Sequence, residues 1–415
     1  MNPLYNAGIA LYDLGIAIAS ARSAKVAHMR AGRRHTLSSL AETRRRVAPD
    51  GFDVWMHAAS LGEFEQGRPV IERIRRECPD MKILLTFFSP SGYEVRHDYP
   101  LADAVEYLPS DSPAAVRRFL DAAAPRRAIF IKYEFWGNYL GELRRRGIPT
   151  YIISSIFRPA QRFFRAGGGM FRDMLRCFTH IFVQDDDSRR LLAAIGIKDV
   201  TVAGDTRFDR VTDILRSARP VPELEAWTSG APFTFIAGSS WEPDEDVYIP
   251  WLAAHPEVRA IVAPHEFDAA RLEALRRRMA PACLLSEAVA AGGVPEGCRA
   301  VVVDSFGLLS SLYRLADMAF VGGGFGAGIH NINEAAVYGI PVVFGPRHHK
   351  FKEAADLIAA GGAFEITGRD DFAALASRLL ADSDARRAAG AAAGDYISRS
   401  VGASDIVFDH IFKNR

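Results

Sequence analysis

Short β-branched segments alternate with amphipathic helical segments along most of this 415-residue chain, and no other feature limits its fold as strongly. Strands of a parallel sheet need long crossover connections, which are usually helices, so regular alternation predicts a parallel, doubly wound sheet. In the first half of the chain the predicted strands are 54–58, 82–87, 104–108, 128–133, 150–153, 180–184 and 200–203.

The alternation stops and then restarts. Pro220, Pro222, Gly230 and Pro232 interrupt it within a polar stretch, which is typical of a linker. The strands predicted after the break are 233–237, 259–263, 300–303, 318–321 and 342–344. Two doubly wound, Rossmann-like α/β domains facing across a cleft describe the architecture called GT-B.

This pattern divides the chain into five segments. We predict an N-terminal helix with a basic segment over 1–45 and a first Rossmann-like domain over 46–215. A linker over 216–232 leads to a second Rossmann-like domain over 233–394, and a closing helix follows over 395–415. The length fits two or more domains.

Charge and cysteine content argue against a nucleic acid partner, a cysteine metal site and disulfides. The 51 basic and 50 acidic residues nearly cancel, so we expect no nucleic acid partner. The four cysteines are scattered and lack CxxC spacing, which favours reduced, packed thiols over a metal site or disulfides.

The N-terminus has its own pattern. Residues 3–19 are mostly apolar, and residues 22–46 carry eight basic side chains against one acidic side chain, Glu42. Asn6, Asp13 and Ser20 are seven residues apart, which places them near one side of a helix. We favour a helix that lies in the membrane interface, followed by basic residues on anionic headgroups. The alternative is an amphipathic helix packed against the protein itself.

Polar residues follow several predicted strands of the first domain. Glu63 stands at a strand-to-helix turn, where a carboxylate can act as the general base for a sugar hydroxyl. The alternative is that Glu63 only favours the helix dipole. Glu134 follows an apolar strand, which indicates a cleft-lining carboxylate with Lys132 or Arg158 as its partner. Candidates for the acceptor or phosphate side are Ser60, Ser89, Ser91, Lys132 and Arg158.

The second domain contains a glycine-rich loop, 322–328, between a strand and a helix. Glycines let backbone amides approach a phosphate, so the loop predicts a nucleotide-sugar donor site, in which Glu334 bonds the ribose hydroxyls. A tight strand-to-helix connection is the structural alternative. The donor-site candidates are Ser239, Ser240, His265, Gly322, Gly323, Gly324, His330, Asn331 and Glu334. We expect His348 and His349 to be solvated or to face a phosphate, because no ligand spacing for a metal is apparent around them. We expect neither a metal nor another cofactor.

Six segments, in order and spacing, resemble the 3-deoxy-D-manno-octulosonic acid (Kdo) transferases of bacterial lipopolysaccharide biosynthesis. They are 57–63, 86–92, 107–111, 133–138, 204–209 and 322–346. The resemblance implies a CMP-Kdo donor, a lipid A precursor of the lipid IVA type as acceptor, and transfer with inversion. It places the catalytic base on Glu63 and a second important acid on Glu134. It also implies a helix at the cytoplasmic face of the inner membrane, lying on it or crossing it once.

Two positions depart from the family pattern. Leu308 stands where many members have an acid, and Pro264 stands where many have an arginine before the histidine. Rival functions are a nucleotide-sugar epimerase, a lipid A disaccharide synthase, or a membrane-peripheral binding protein with an inactive transferase scaffold.

Overall fold

The computed structural model describes residues 3–413, and these residues form two compact units. The first unit comprises the chain up to Asp209 together with the segment from Gly402 onward, and the second unit runs from Arg210 to Val401. Each unit is built around one seven-stranded parallel sheet. The predicted fold class, α/β with two doubly wound sheets, is confirmed.

The first sheet has the strand order β3-β2-β1-β4-β5-β6-β7. Its strands are β1 (Val54–Ala58), β2 (Ile83–Phe87), β3 (Ala104–Tyr107), β4 (Ala128–Ile131), β5 (Thr150–Ser155), β6 (His180–Val183) and β7 (Val200–Val202). The order reverses between β1 and β4, and ligands of such sheets bind beyond the carboxyl ends of the strands at this switch point.

Helices cover both faces of this sheet. They are α1 (Pro3–Ala19), α2 (Ala24–Val47), α3 (Leu61–Glu77), α4 (Pro90–Arg96), α5 (Pro113–Ala123), α6 (Gly137–Arg145), α7 (Gly169–Leu175), α8 (Asp186–Ala194) and the start of α9 (Arg207–Ser217). Trp55 packs into the core on one face, whereas Val54 and Met56 pack into the core on the other. Burial on both faces explains why the strands are apolar throughout rather than alternating.

The second sheet has the order β10-β11-β9-β8-β12-β13-β14, with its switch point between β8 and β12. Its strands are β8 (Phe233–Ser240), β9 (Val258–Pro264), β10 (Ala282–Leu284), β11 (Ala300–Val302), β12 (Met318–Val321), β13 (Val342–Phe344) and β14 (Ala363–Glu365). The strands β10 and β14 were not predicted. Each has three residues and lies at an edge of the sheet.

The helices of the second unit are α10 (Pro222–Thr228), α11 (Glu242–Ala254), α12 (Ala269–Arg278), α13 (Leu285–Ala290), α14 (Leu309–Leu312), α15 (Asn333–Ala336), α16 (Lys352–Ala360), α17 (Arg369–Ala381) and α18 (Ser383–Ser400). The chain then returns to the first unit with α19 (Ala403–Phe408) and a π-helical turn (Asp409–Lys413).

The observed units and the predicted segments differ at two places. The predicted linker 216–232 contains the helix α10, whose Leu224 is buried, so part of this stretch packs within the second unit. The predicted closing helix is divided: α18 ends at Ser400 in the second unit, and the chain from Gly402 belongs to the first. The chain leaves the first unit after Asp209 and returns to it at Gly402. The carboxylate of Asp209 accepts hydrogen bonds from the amides of Gly402 and Ser404, which holds these two places together.

Helix α1 turns its polar side toward the first unit. The hydroxyl of Ser110 donates a hydrogen bond to Asp13, and the amide of Asn138 donates one to Asn6. The opposite side carries four apolar side chains that are each more than half exposed: Leu4, Leu11, Leu14 and Ile18. Within residues 3–413, no helix has the length and apolar composition needed to cross a membrane.

Candidate active site

Two carboxylates meet at the switch point of the first sheet. Glu63 lies in the first turn of α3, directly after β1, and Glu134 lies in the loop after β4. Strands β1 and β4 are hydrogen-bonded neighbours, so their carboxyl ends bring the two side chains to one place. The structure therefore brings together the two residues predicted to be catalytic.

Glu63 is held against the end of β1. Its Oε2 accepts a hydrogen bond of 2.8 Å from the amide of Ala59. Burial, reinforced by the negative charge of Glu134, raises the pKa of Glu63 to about 7, while the amides of Ala59 and Ser60 and the charge of Lys132 oppose the increase. A carboxylate with a pKa near neutrality is suited to accept a proton from a hydroxyl during reaction.

Glu134 is buried, and two aromatic side chains contact its carboxylate. Its Oε2 lies 3.0 Å from His57 Nε2 and accepts a hydrogen bond of 2.6 Å from the indole of Trp136. On the other side of the imidazole, Nδ1 lies 2.9 Å from the hydroxyl of Thr86, which itself accepts a hydrogen bond from the indole of Trp55. Nδ1 also lies 3.1 Å from the carbonyl oxygen of Thr86, which can only accept a hydrogen bond. Because the Glu134 carboxylate likewise only accepts, we assign His57 Nε2–H as its donor.

Lys132 or Arg158 was expected as the partner of Glu134. The hydrogen-bond donors that the structure places on Glu134 Oε2 are instead His57 and Trp136. Lys132 has a left-handed backbone (φ +63°), and its ammonium lies 5.5 Å from the centre of the Tyr133 ring. Arg158 donates a hydrogen bond to the hydroxyl of Tyr133, whose pKa is raised by burial and lowered by that guanidinium.

His57 is a site residue that the sequence reasoning missed. It lies inside the apolar strand β1 and is completely buried. Its place in a run of core residues could have indicated a site residue, because a buried imidazole requires hydrogen-bonding partners.

The predicted serines lie at the same end of the sheet but differ in their contacts. Ser60 is the N-cap of α3 and makes no side-chain capping hydrogen bond. Ser89 and Ser91 hydrogen-bond each other through their hydroxyls at 2.7 Å in an exposed turn before and within α4. The hydroxyls of both groups are accessible to a polar ligand, and the backbone amide of Ser60 contacts Glu63.

The glycine loop follows β12 at the switch point of the second sheet. A Cβ on Gly322 would lie 2.3 Å from the carbonyl oxygen of Ser239, and Gly323 has a left-handed φ of +91°. These glycines are therefore required by the close approach of β8 and by the turn itself. The buried carboxylate of Asp244, a residue absent from the sequence prediction, accepts hydrogen bonds from the amides of Gly323 and Phe325.

Three aromatic rings lie beside this loop. His265 stacks on Trp241 with a centroid distance of 4.4 Å and on His330 with a distance of 4.6 Å. The indole of Trp241 donates a 3.3 Å hydrogen bond to His330 Nε2, which assigns the proton of a neutral His330 to Nδ1. Burial, followed by the charge of His265, lowers the pKa of His330. This cluster presents flat surfaces on which a nucleobase or sugar can stack.

Glu334 lies in α15 and is partly buried. Burial raises its pKa, while a 2.9 Å hydrogen bond donated by Asn331 and the positive charge of Arg210 lower it. The structure thus brings together His330, Asn331 and Glu334 near the glycine loop, and adds Arg210, which the sequence reasoning did not single out.

Two expectations about this unit need correction. The Ser240 hydroxyl is buried and accepts a hydrogen bond from Tyr248, with Glu245 as its second partner, so it is directed into the core rather than toward a ligand. Ser239 precedes it in a left-handed conformation (φ +52°). His348 was expected to be solvated or to face a phosphate, but it is buried and hydrogen-bonded to Glu365 at 2.5 Å.

Comparison with known proteins establishes the family. The family model described as 3-Deoxy-D-manno-octulosonic-acid transferase (kdotransferase) matches residues 24–210. A 3-deoxy-D-manno-octulosonic acid transferase from Bordetella pertussis is 30% identical over 391 residues, which cover 88% of this chain and 88% of the relative. The chain belongs to the Kdo transferase family. A second Kdo transferase, from Haemophilus influenzae, is 26% identical over 372 residues that cover 86% of each chain.

A solved structure supports the fold of this Kdo transferase. The crystal structure of a UDP-GlcNAc 2-epimerase from Neisseria meningitidis bound to UDP-GlcNAc has a TM-score of 0.59. Its sequence identity is 13%, and the match covers 87% of this chain and 100% of the epimerase. This similarity concerns the GT-B fold alone and does not extend to epimerase chemistry.

Proposed function

We propose that this Kdo transferase moves Kdo from CMP-Kdo to a lipid A precursor of the lipid IVA type in lipopolysaccharide biosynthesis. Membership in the family supports the sugar that is transferred. The observation that supports the mechanism is the Glu63–Glu134 pair at the switch point of the first sheet, in which the pKa of Glu63 is raised to about 7.

In the proposed reaction Glu63 is the general base. Its carboxylate removes the proton from an acceptor hydroxyl, the oxygen attacks the anomeric carbon of Kdo, and the bond from that carbon to the CMP phosphate oxygen breaks. CMP leaves with the bonding electrons, and a single in-line displacement inverts the configuration. No step in this scheme is assigned to a metal or another cofactor.

Glu134 has a different proposed role. Two donors hold its Oε2, so the carboxylate is fixed in orientation, and its charge adds to the effect of burial in raising the pKa of Glu63. Ser60, Ser89, Ser91, Lys132 and Arg158 are proposed to bind the acceptor and its phosphates, because hydroxyls and cations suit phosphate oxygens.

For the donor, we propose a site formed by the three-ring cluster Trp241–His265–His330, the glycine loop, Asn331 and Glu334. The rings supply stacking surfaces, and Glu334 can accept hydrogen bonds from ribose hydroxyls. The role of the loop glycines is to permit its shape, since Asp244 already occupies the amides of Gly323 and Phe325.

We also propose that α1 lies on the cytoplasmic face of the inner membrane. Its apolar side chains Leu4, Leu11, Leu14 and Ile18 are exposed, while its polar side faces the protein. Arg22, Lys25 and Arg34 follow with exposed side chains that can contact anionic headgroups. Arg33 does not belong to that group, because its guanidinium donates to the carbonyl of Phe88.

The function is tested by mass spectrometry of the product formed by the purified chain from CMP-Kdo and lipid IVA. The expected product is the acceptor plus at least one Kdo residue, with release of CMP. UDP-N-acetylglucosamine offered in parallel tests the rival functions, and its epimerisation or transfer in place of Kdo transfer would overturn the proposal.

A further inference from the structure

The inward side of α1 contacts the loop that carries Glu134. The hydroxyl of Tyr5 donates a 2.6 Å hydrogen bond to Asp111 Oδ2 and accepts a 3.0 Å hydrogen bond from the amide of Gly137. One residue further, the side-chain amide of Asn138 donates a 2.8 Å hydrogen bond to Asn6. These contacts join residues that are 106 to 132 positions apart in sequence, so helix α1 is part of the structure around this loop.

Asp111 is the centre of this network. It is buried, and its two oxygens accept hydrogen bonds from the amides of Asn138 (3.1 Å) and Tyr139 (2.9 Å) in the first turn of α6. Burial raises the pKa of Asp111 to about 6, and the hydrogen bonds from Tyr5 and from these amides oppose the increase. Tyr5 therefore stabilises the ionised carboxylate that fixes the start of α6.

The start of α6 is adjacent to the catalytic loop. Gly137 directly follows Trp136, whose indole donates to Glu134 Oε2. The Trp136 ring stacks on Phe88 at a centroid distance of 4.9 Å. The Arg33 guanidinium also packs on the Phe88 ring, 4.2 Å from its centre. The short connection from Glu134 to Gly137 is thus anchored at Trp136 by packing and at Gly137 by Tyr5.

We propose that Tyr5 is a positioning residue for Glu134, so that the helix assigned to the membrane surface also completes the geometry of the active site. The inference rests on the proposed function. Without the Tyr5 hydroxyl, the amide of Gly137 and the carboxylate of Asp111 each lose a partner inside the protein. The loop then relaxes, and Glu134 moves away from its place beside Glu63.

The test is Tyr5→Phe, which removes one hydroxyl and keeps the ring. Turnover is measured with CMP-Kdo and a lipid A precursor in detergent micelles, so that attachment to a bilayer does not affect the result. The expected result is a decrease in kcat of about 10-fold or more, because small misplacements of catalytic groups are costly. The affinity for CMP, measured by calorimetry, and the sedimentation with liposomes stay unchanged.

The pH profile separates positioning from a loss of stability. The charged groups that act on Glu63 are Glu134 and Lys132, and with Glu134 displaced, the acidic limb of kcat/KM moves to lower pH. Tyr12→Phe is the matched control. It removes a hydroxyl from the same helix that makes no hydrogen bond within residues 3–413, and its pH profile should match that of the wild type.

A wild-type kcat and pH profile in Tyr5→Phe would overturn the proposal, as would a lower melting temperature with an unmoved acidic limb. If Tyr5→Phe does not fold, Asn6→Ala removes the neighbouring hydrogen bond from Asn138 to α1. An unchanged kcat and an unmoved acidic limb in that variant would likewise overturn the proposal. Activity of the wild type on the acceptor tests the proposed function separately, so failure of one idea is distinguishable from failure of the other.

Discussion

Replacing Glu63 by Gln should inactivate the enzyme and also stabilise it at alkaline pH. Glutamine retains the size of the side chain and an oxygen that can accept the Ala59 amide, but it has no charge to bury. As the general base, Glu63 is expected to contribute about 10²–10⁴-fold to turnover, and the variant loses that contribution.

The change in stability follows from the pKa of Glu63. The folded protein binds this proton more tightly than the unfolded chain does, because the pKa is raised from 4.5 to about 7. Below pH 4.5 the carboxyl is neutral in both states and costs nothing. Between pH 4.5 and 7 the unfolded chain is increasingly favoured, and above pH 7 the full cost of the buried charge is present.

The magnitude is limited by solvent. A shift of this size corresponds to about 3 kcal/mol if it is fully expressed. Glu63 is only partly buried, and screening by water reduces the cost to about 1–2 kcal/mol. For a domain of this size, that gain corresponds to a rise in melting temperature of about 2–8 °C.

The assay is thermal unfolding of the wild type and Glu63→Gln from pH 4.5 to 8.5. The two curves should coincide at the acidic end and separate as pH rises toward 7, with the variant more stable. Glu65→Gln is the control, because Glu65 lies on the same helix but pairs with Arg96, and its loss should not stabilise the protein. If Glu63→Gln shows no gain at pH 8 relative to pH 5, Glu63 is not a buried charge next to Glu134.

Three further predictions concern the other proposed parts of the enzyme. Glu134→Gln removes the neighbouring charge, so the pKa of Glu63 falls and the acidic limb of kcat/KM moves to lower pH; an unmoved limb would assign it to another group. Glu334→Ala should weaken CMP binding by about 1–3 kcal/mol in calorimetry, and unchanged affinity would exclude Glu334 from the donor site. Leu11→Ser combined with Leu14→Ser should reduce sedimentation with anionic liposomes, whereas Val289→Ser, an exposed apolar residue of the second unit, should not.

Most strands could be predicted from the sequence because they are buried on both faces. Such strands consist of continuous β-branched and apolar residues, and helical patterns separate them clearly. The edge strands β10 and β14 have three residues each and are partly exposed, so they carry too little of this signal. The return of the chain to the first unit at Gly402 depends on the contact with Asp209, which no local pattern encodes.

The sequence predicted individual residues of the site but not the contacts between them. Glu63 and Glu134 are conspicuous because each is a carboxylate at the end of an apolar strand. The partner of Glu134 depends on how β1 packs beside β4, and His57 therefore emerged only from the structure. The glycine loop was recognised in the sequence, but its glycines were attributed to phosphate binding alone. The structure shows that Gly322 is also required because the backbone of Ser239 packs against it.

The return of the chain to the first unit has a consequence for biosynthesis. The second unit is inserted in sequence within the first, and Val407, Phe408 and Ile411 fill a core against α3 only after the segment from Gly402 onward has been synthesised. Domains generally fold as units while the ribosome extends the chain. Here the order of completion is reversed: the second unit can finish folding on the ribosome, while the unit that was begun first must wait for the segment after Gly402 to emerge.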